Sequence, residues 1–246
     1  MSNVKFEECF LKNKNKFMSV EDLRAIHDRF DGSYEKEYNN HFYCPECYLA
    51  RLSFHPNAKT PHFRSLDNHD QNCAFNFQPL KNKEVEKYFN IPINRDAISR
   101  KLNSCLDLLN MCSKQTALQH DVQVSNKKEG SFIVGCQGKN RCIRRKKLTA
   151  GFNQDDYGIC MIFYGRVSLE WDLRNENIKY IRIKSADKKT YICSVSMSSK
   201  IYDYIKDDKK FDDNRICNVA FMSSMEKKGN FNNCKIKYST ELALRF

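Results

Sequence analysis

A chain of 246 residues, 41% of them hydrophobic, is long enough to bury two modest cores. Its formal net charge of +12 and pI of about 9.1 point to polyanionic partners, because long-range positive potential concentrates nucleic acid or anionic membrane around the molecule. No apolar run approaches a membrane span, and the start, Met1-Ser2-Asn3-Val4-Lys5, lacks the apolar stretch of a secretion signal; the expectation is an intracellular, reducing, cytoplasmic setting with no membrane partner.

In such a setting the 12 cysteines do not read as a disulfide framework. Cys160, Cys193 and Cys217 sit singly in apolar patterns, as small buried hydrophobes do. Residues 1–18 are rich in Lys and Asn without a clear period, and a loosely structured start is expected. Ser19-Val20-Glu21-Asp22 then supplies a helix N-cap with an acid at the third helical position. Val20, Leu23, Ile26, His27 and Phe30 form one apolar face of a short helix, ended by Asp31-Gly32-Ser33.

The strongest chemical signal follows. Cys44-Pro45-Glu46-Cys47 spaces two thiols so that a tight turn aims both at one ion, and His69 and Cys73 are close enough to present two ligands from one turn. The intervening residues leave room for a β-hairpin. The expected site is Cys44, Cys47, His69 and Cys73, a closed set around a structural Zn²⁺ with no open position for substrate. His62 is the rival fourth ligand and His55 a more distant one; local spacing to Cys73 favours His69. A redox dithiol fits less well, since Tyr48–Phe54 alternates like a strand where a thioredoxin-like motif needs a helix.

The order Cys44-Pro45-Glu46-Cys47, hairpin, Pro61-His62-Phe63, His69 and Cys73 resembles the N-terminal zinc-finger segment of the competence protein CoiA-like family, over about Tyr38 to Phe77. Members commonly have a second His close behind Pro-His-Phe, whereas here the next, His69, comes later. The resemblance implies a small zinc module attached to proteins that handle DNA. It also implies a comparison with restriction-endonuclease-like enzymes, which the family resembles beyond this segment.

After Pro79 and a charged stretch, Ile98, Leu102, Cys105, Leu106, Leu109 and Cys112 recur at helical steps within Arg95–Lys114, predicting an amphipathic helix that packs on the zinc module or its sequence neighbours. Cys136 and Cys142 are a candidate second metal pair, with His120, Cys105 or Cys112, although Cys105 and Cys112 also have an ordinary helical core spacing. From Asn126 to Leu148 the chain turns strongly basic, and this is read as a connector, residues 126–150, between a zinc-binding module with flanking helices, 1–125, and a barrel domain, 151–246. Arg141, Arg144, Arg145, Lys146 and Lys147 are candidate phosphate contacts, or else the surface of a solvated linker.

From Tyr157 the period becomes two. Ile159, Met161, Phe163, Gly165, Val167, Leu169 and Trp171 alternate with a more polar set, and Gly165 marks a bend or bulge. Strands at Ile178–Lys184 and Thr190–Met197, a helix after Ser198, and strands at Arg215–Ser223 and Asn233–Leu244 complete the order of a five-stranded OB-like barrel. The fold class is therefore α+β, a small N-terminal zinc-finger module with helices followed by an OB-like β-barrel. On the barrel, Tyr180, Arg182 and Lys184 share the face opposite Ile181 and Ile183, with Tyr164 and Arg166 beside them; they are candidate stacking and phosphate contacts, or a packed tyrosine among solubilising charges. Trp171 reads as core or rim packing.

These features favour a non-enzymatic protein that binds single-stranded DNA or RNA. A metal-dependent nuclease is the first alternative, with Glu84-Val85-Glu86-Lys87 and Asp155-Asp156 as weak carboxylate candidates. An adaptor with a protein partner in a DNA-processing or defence system is the second, since barrels of this kind serve many ligands.

Overall fold

The computed structural model describes residues 5–29, 33–89, 91–114, 132–136, 138–149, 151–172, 177–209 and 215–246. The chain divides into two compact units, the first built on Met1–Gln78 and the second on Pro79–Ser113 and Asp121–Phe246. The main segment of the first unit thus ends at Gln78. The long helix, expected to pack on the zinc module or its sequence neighbours, lies, but for its last residue, in the second unit.

The first unit is mostly strand. β1 (Lys5–Phe6), β2 (Glu8–Leu11) and β3 (Lys16–Ser19) occupy the start where no regular structure was expected. Phe6, Cys9, Leu11 and Met18 are buried, so a period-two apolar phase is present beneath the Lys and Asn. Asn15, at a φ of +47°, makes the left-handed turn between β2 and β3 that asparagine tolerates. α1 (Val20–His27) begins with the expected capping box: Ser19 Oγ accepts from the Asp22 N–H at 3.1 Å, and the Asp22 carboxylate accepts from Ser19. Val20 and Leu23 fill the core, whereas Phe30 lies outside the described residues. α2 (Ser33–Tyr38), β4 (Phe42–Tyr43), β5 (Leu52–His55) and β6 (His62–Ser65) follow, in two small sheets ordered β1-β6-β5 and β3-β2-β4. The β5–β6 pair is the hairpin expected between the two ligand pairs.

The second unit starts with α3 (Asn82–Phe89) and α4 (Pro92–Lys114). Ile98, Leu102, Cys105 and Leu106 of α4 are fully buried, as the spacing predicts. Arg95 lies 4.2 Å above the Tyr238 ring and Asp107 meets Arg245 at 2.6 Å, which ties α4 to the C-terminal strands. The basic segment is no linker. β7 (Ile133–Cys136) and β8 (Lys139–Cys142) form a hairpin, and β9 (Arg144–Lys147) runs parallel to the first half of β10 (Cys160–Asp172).

β10, β11 (Ile178–Ser185), β12 (Tyr191–Ser198), β13 (Ile216–Lys228) and β14 (Phe231–Lys235) close a five-stranded barrel, with α5 (Ser199–Lys209) between the third and fourth strands. Neighbours run β10-β11-β12-β14-β13, the β12–β14 pair is parallel, and antiparallel β13–β10 pairing closes the ring, an order consistent with an OB-like barrel. The two 13-residue strands change partners midway. β10 pairs first with β9 and then with β11, and β13 pairs with β14 at one end and with β15 (Leu242–Arg245) at the other. The single last strand expected from the pattern is thus two, separated by a turn of 3-10 helix at Ser239–Glu241.

Phe163, Val167, Leu169, Ile181, Val195 and Phe221 fill the barrel, each such side chain contributing roughly 1.5–3 kcal/mol on burial. Trp171 packs edge-on against Tyr202 of α5 at 4.7 Å, the packing role expected for it. At Gly165 the β10–β13 register runs on without a bulge. The glycine allows close approach, because a Cβ there would meet the Leu148 Cβ at 3.2 Å.

Candidate functional site

Cys44, Cys47, His69 and Cys73 converge, with all four ligand atoms within 4.8 Å of one another. The Cys44 Sγ–Cys73 Sγ distance is 3.8 Å, and His69 Nδ1 lies 3.7 Å from Cys47 Sγ and 3.4 Å from Cys73 Sγ. Bonds of about 2.3 Å to sulfur and about 2.0–2.1 Å to nitrogen in a tetrahedron require S···S of about 3.8 Å and S···N of about 3.5 Å. The cluster can hold a metal ion and is compatible with zinc. Four protein ligands would fill the tetrahedron, leaving no place for an activated water.

Local structure explains the convergence. The Cys44-Pro45-Glu46-Cys47 turn aims the Glu46 N–H at Cys44 Sγ, 3.4 Å away, and Tyr48 N–H closes it onto the Cys44 carbonyl at 3.0 Å. On the other side, Asp70 accepts from the Asn72 N–H and, through its carbonyl, from the Cys73 N–H, bending the chain so that Cys73 returns to His69. The His69 ring is stacked on Phe6 at 5.6 Å and lies 5.9 Å from Phe75. Cys44 is fully buried and Cys73 is 1% exposed.

Hydrogen bonding with Cys44, then with Cys73, holds the Cys47 thiol far below its ordinary range. The same contacts act in reverse on the partners: Cys44 is pushed up to about 12, first by Cys47, and Cys73 is raised, first by Cys44. One thiolate is thus favoured and further deprotonation opposed, so cation binding must displace protons.

His62 does not join the cluster. Its Nδ1 bonds the Thr60 carbonyl at 2.8 Å and its ring stacks on His55 at 5.3 Å. The second metal pair does not form either: the β7–β8 register places Cys136 opposite Lys139 and Cys142 opposite Ile133, at the two ends of the hairpin. Among the described residues no other group of three metal-binding side chains occurs; His120 and the Cys112 side chain lie outside them.

The candidate phosphate contacts do not make one free basic surface. Arg141 pairs with Glu84 at 2.9 Å, and Lys146, 3% exposed, pairs with Asp156 at 2.8 Å inside the second unit. Arg145 lies 5.0 Å over the Phe132 ring; Arg144 and Lys147 are partly exposed on β9. Tyr164 is 2% exposed and no surface residue, because both phases of β10 from Cys160 to Tyr164 are apolar and both are covered. Arg166 is exposed and Tyr180 partly so. Arg182 meets Asp172 at 2.6 Å and Glu170 at 3.7 Å, and Lys184 also pairs with Glu170.

Two features escaped sequence reasoning. The β13–β14 turn carries exposed Lys227 and Lys228 and a 60% exposed Phe231, whose ring meets Tyr191 edge-on at 5.7 Å. The sequence signal was only a turn, Lys228-Gly229-Asn230; the pairing of β12 with β14 brings Tyr191 to it. The other is an aromatic face on the first unit, built by strands in the stretch expected to be irregular. No helix among the described residues is long and apolar enough to cross a membrane. Comparisons with protein-family models, curated proteins and solved structures returned no match for the chain.

Proposed function

We propose that the chain is a non-enzymatic nucleic-acid-binding protein, cytoplasmic, favouring single-stranded DNA or RNA, with zinc as a structural ion at Cys44, Cys47, His69 and Cys73. The observation that carries it is the β13–β14 turn, where two exposed lysines end one strand and an exposed phenylalanine, paired opposite Lys228, begins the next on a closed five-stranded barrel. In OB-like barrels the loop between the fourth and fifth strands commonly borders the ligand, and an aromatic ring among cations suits a base and its phosphate. The net charge of +12 adds long-range attraction. The likeness of the zinc segment to CoiA-like proteins supports a DNA-handling context and rests on the residues that carry it.

The test is fluorescence anisotropy of the full chain with labelled oligo-dT, oligo-U and duplex at several salt concentrations. Salt-sensitive binding, strongest for single strands, is the expected result; absence of salt-sensitive binding to every form removes the reading. One observation favours a second reading, a protein-binding adaptor: Glu170 and Asp172 match the cations of β11, so the face of β10 and β11 is a network of ion pairs. The nuclease alternative loses ground, since Glu84 sits on a helix and is engaged by Arg141.

A further inference from the structure

We propose that the outward face of the β3-β2-β4 sheet is a second binding surface for single-stranded nucleic acid, on which bases stack against Phe10, Phe17, Tyr43 and Tyr48. The proposal rests on the nucleic-acid reading of the chain and places a contact on the unit for which that reading supplies none. Register sets the face: Phe10 lies opposite Phe17 on one side and Tyr43 on the other, so the three rings form a row across three strands. Cys9, Leu11, Met18 and Phe42, in the alternate phase, supply the buried core. The row itself is only partly buried and lies outside that core.

Tyr48 completes the row from the turn that carries Cys47. Its ring meets Phe10 edge-on at 4.8 Å and Phe17 at 6.1 Å. Its backbone is left-handed, at a φ of +58°, where glycine is at ease and a bulky side chain is not. The metal-binding turn therefore holds a ring on this face against the backbone preference. A cation stands at one end: Lys12 Nζ is 4.9 Å above the Tyr43 ring, whereas Arg51, bridged to Tyr43 across the strands, is already matched by Asp67.

A protein partner would be served by an apolar row alone. Three rings in edge-on contact, Phe10, Phe17 and Tyr48, with a lysine over Tyr43 on the next strand, match what a strand of bases needs, since every base has a face to stack and every link a phosphate.

The test compares full-length wild type, Phe10→Leu/Phe17→Leu and Phe231→Ala for binding to labelled oligo-dT and oligo-U, with metal content and thermal midpoint as folding controls. Leucine keeps apolar volume and removes the stacking face. The double variant is expected to bind at least about fivefold more weakly while keeping its metal. Photocrosslinking of wild type with 5-iodouracil oligomers, mapped by mass spectrometry, is expected to mark Phe10, Phe17, Tyr43 or Tyr48, and it decides the matter if the double variant is unstable. Unchanged affinity of a folded double variant, or crosslinks confined to Tyr191 and Phe231, overturns this surface while the nucleic-acid reading stands. No binding by wild type overturns both.

Discussion

Arg182 of β11 is held by Asp172 of β10 at 2.6 Å, so the arginine that the strand pattern marks as a phosphate contact already has a carboxylate. A phosphate would have to displace that partner, and Glu170 stands beside it. Arg182→Ala is therefore expected to change oligonucleotide affinity by less than about twofold. Lys227→Ala/Lys228→Ala should weaken binding and flatten the log K against log salt slope by about 1.4, at ~0.7 per phosphate contact for single strands. Anisotropy titrations across salt measure both, and a large Arg182 effect with a silent lysine pair would return the interface to the β11 face.

Lys146 and Asp156 form a different kind of pair, with side chains only 2% and 10% exposed. Lys146→Met leaves the Asp156 carboxylate buried without its cation, a loss of roughly 3–5 kcal/mol by the usual cost of breaking a buried pair. Adding Asp156→Asn should recover part of it. Urea unfolding monitored by fluorescence checks both variants. A solvated linker lysine would instead give a change below about 0.5 kcal/mol.

That pair also shows where sequence reasoning ran out. Local patterns with one dominant phase were legible: the Ser19–Asp22 capping box, the helix around Ile98 and Leu102, the first four barrel strands, and the four converging Cys and His side chains, whose spacing alone selected His69 over His62. Arg144–Lys147 looked like a solvated run because four cations carry no apolar phase. Its strand identity comes from pairing with β10 and from Asp156, partners that lie more distant along the chain. Tyr164 failed differently. A strand covered on both faces loses the inside–outside distinction that alternation encodes. At the start of the chain, interspersed Lys and Asn hid the phase of Cys9, Leu11 and Met18, and with it the opposite phase of Phe10 and Phe17.

Gly165 offers a test of close packing without any functional assumption. An alanine Cβ would stand 3.2 Å from the Leu148 Cβ, tighter than ordinary contact, and Leu148 is fixed there by its N–H bond to the Tyr164 carbonyl at 2.8 Å. Gly165→Ala is expected to destabilise the second unit by about 1–3 kcal/mol, the usual cost of overpacking. Leu148→Ala in the same chain should relieve the clash, so that the two effects are less than additive in denaturant unfolding. Simple additivity would mean that the strands part freely at this point.

The metal cluster yields the last prediction. Cys44 and Cys73 are raised and Cys47 lowered by their mutual hydrogen bonds, so near neutral pH at least one of the thiols is protonated until a cation displaces its proton. Zinc affinity should therefore fall as pH falls, by about tenfold per pH unit for each proton displaced. Stability conferred by a bound zinc ion should be present at neutral and higher pH and lost on acidification. Cys73→Ser removes one ligand and one thiolate, and the first unit, where His69, Phe6 and Phe75 pack around the site, should lose its metal and its protection together. Metal analysis and hydrogen exchange on the full chain follow this directly: residues 5–78 should exchange quickly in the variant, or in wild type after chelation at low pH, while the barrel strands stay protected. Full zinc content and unchanged protection in Cys73→Ser would remove the cluster from the folding of this unit.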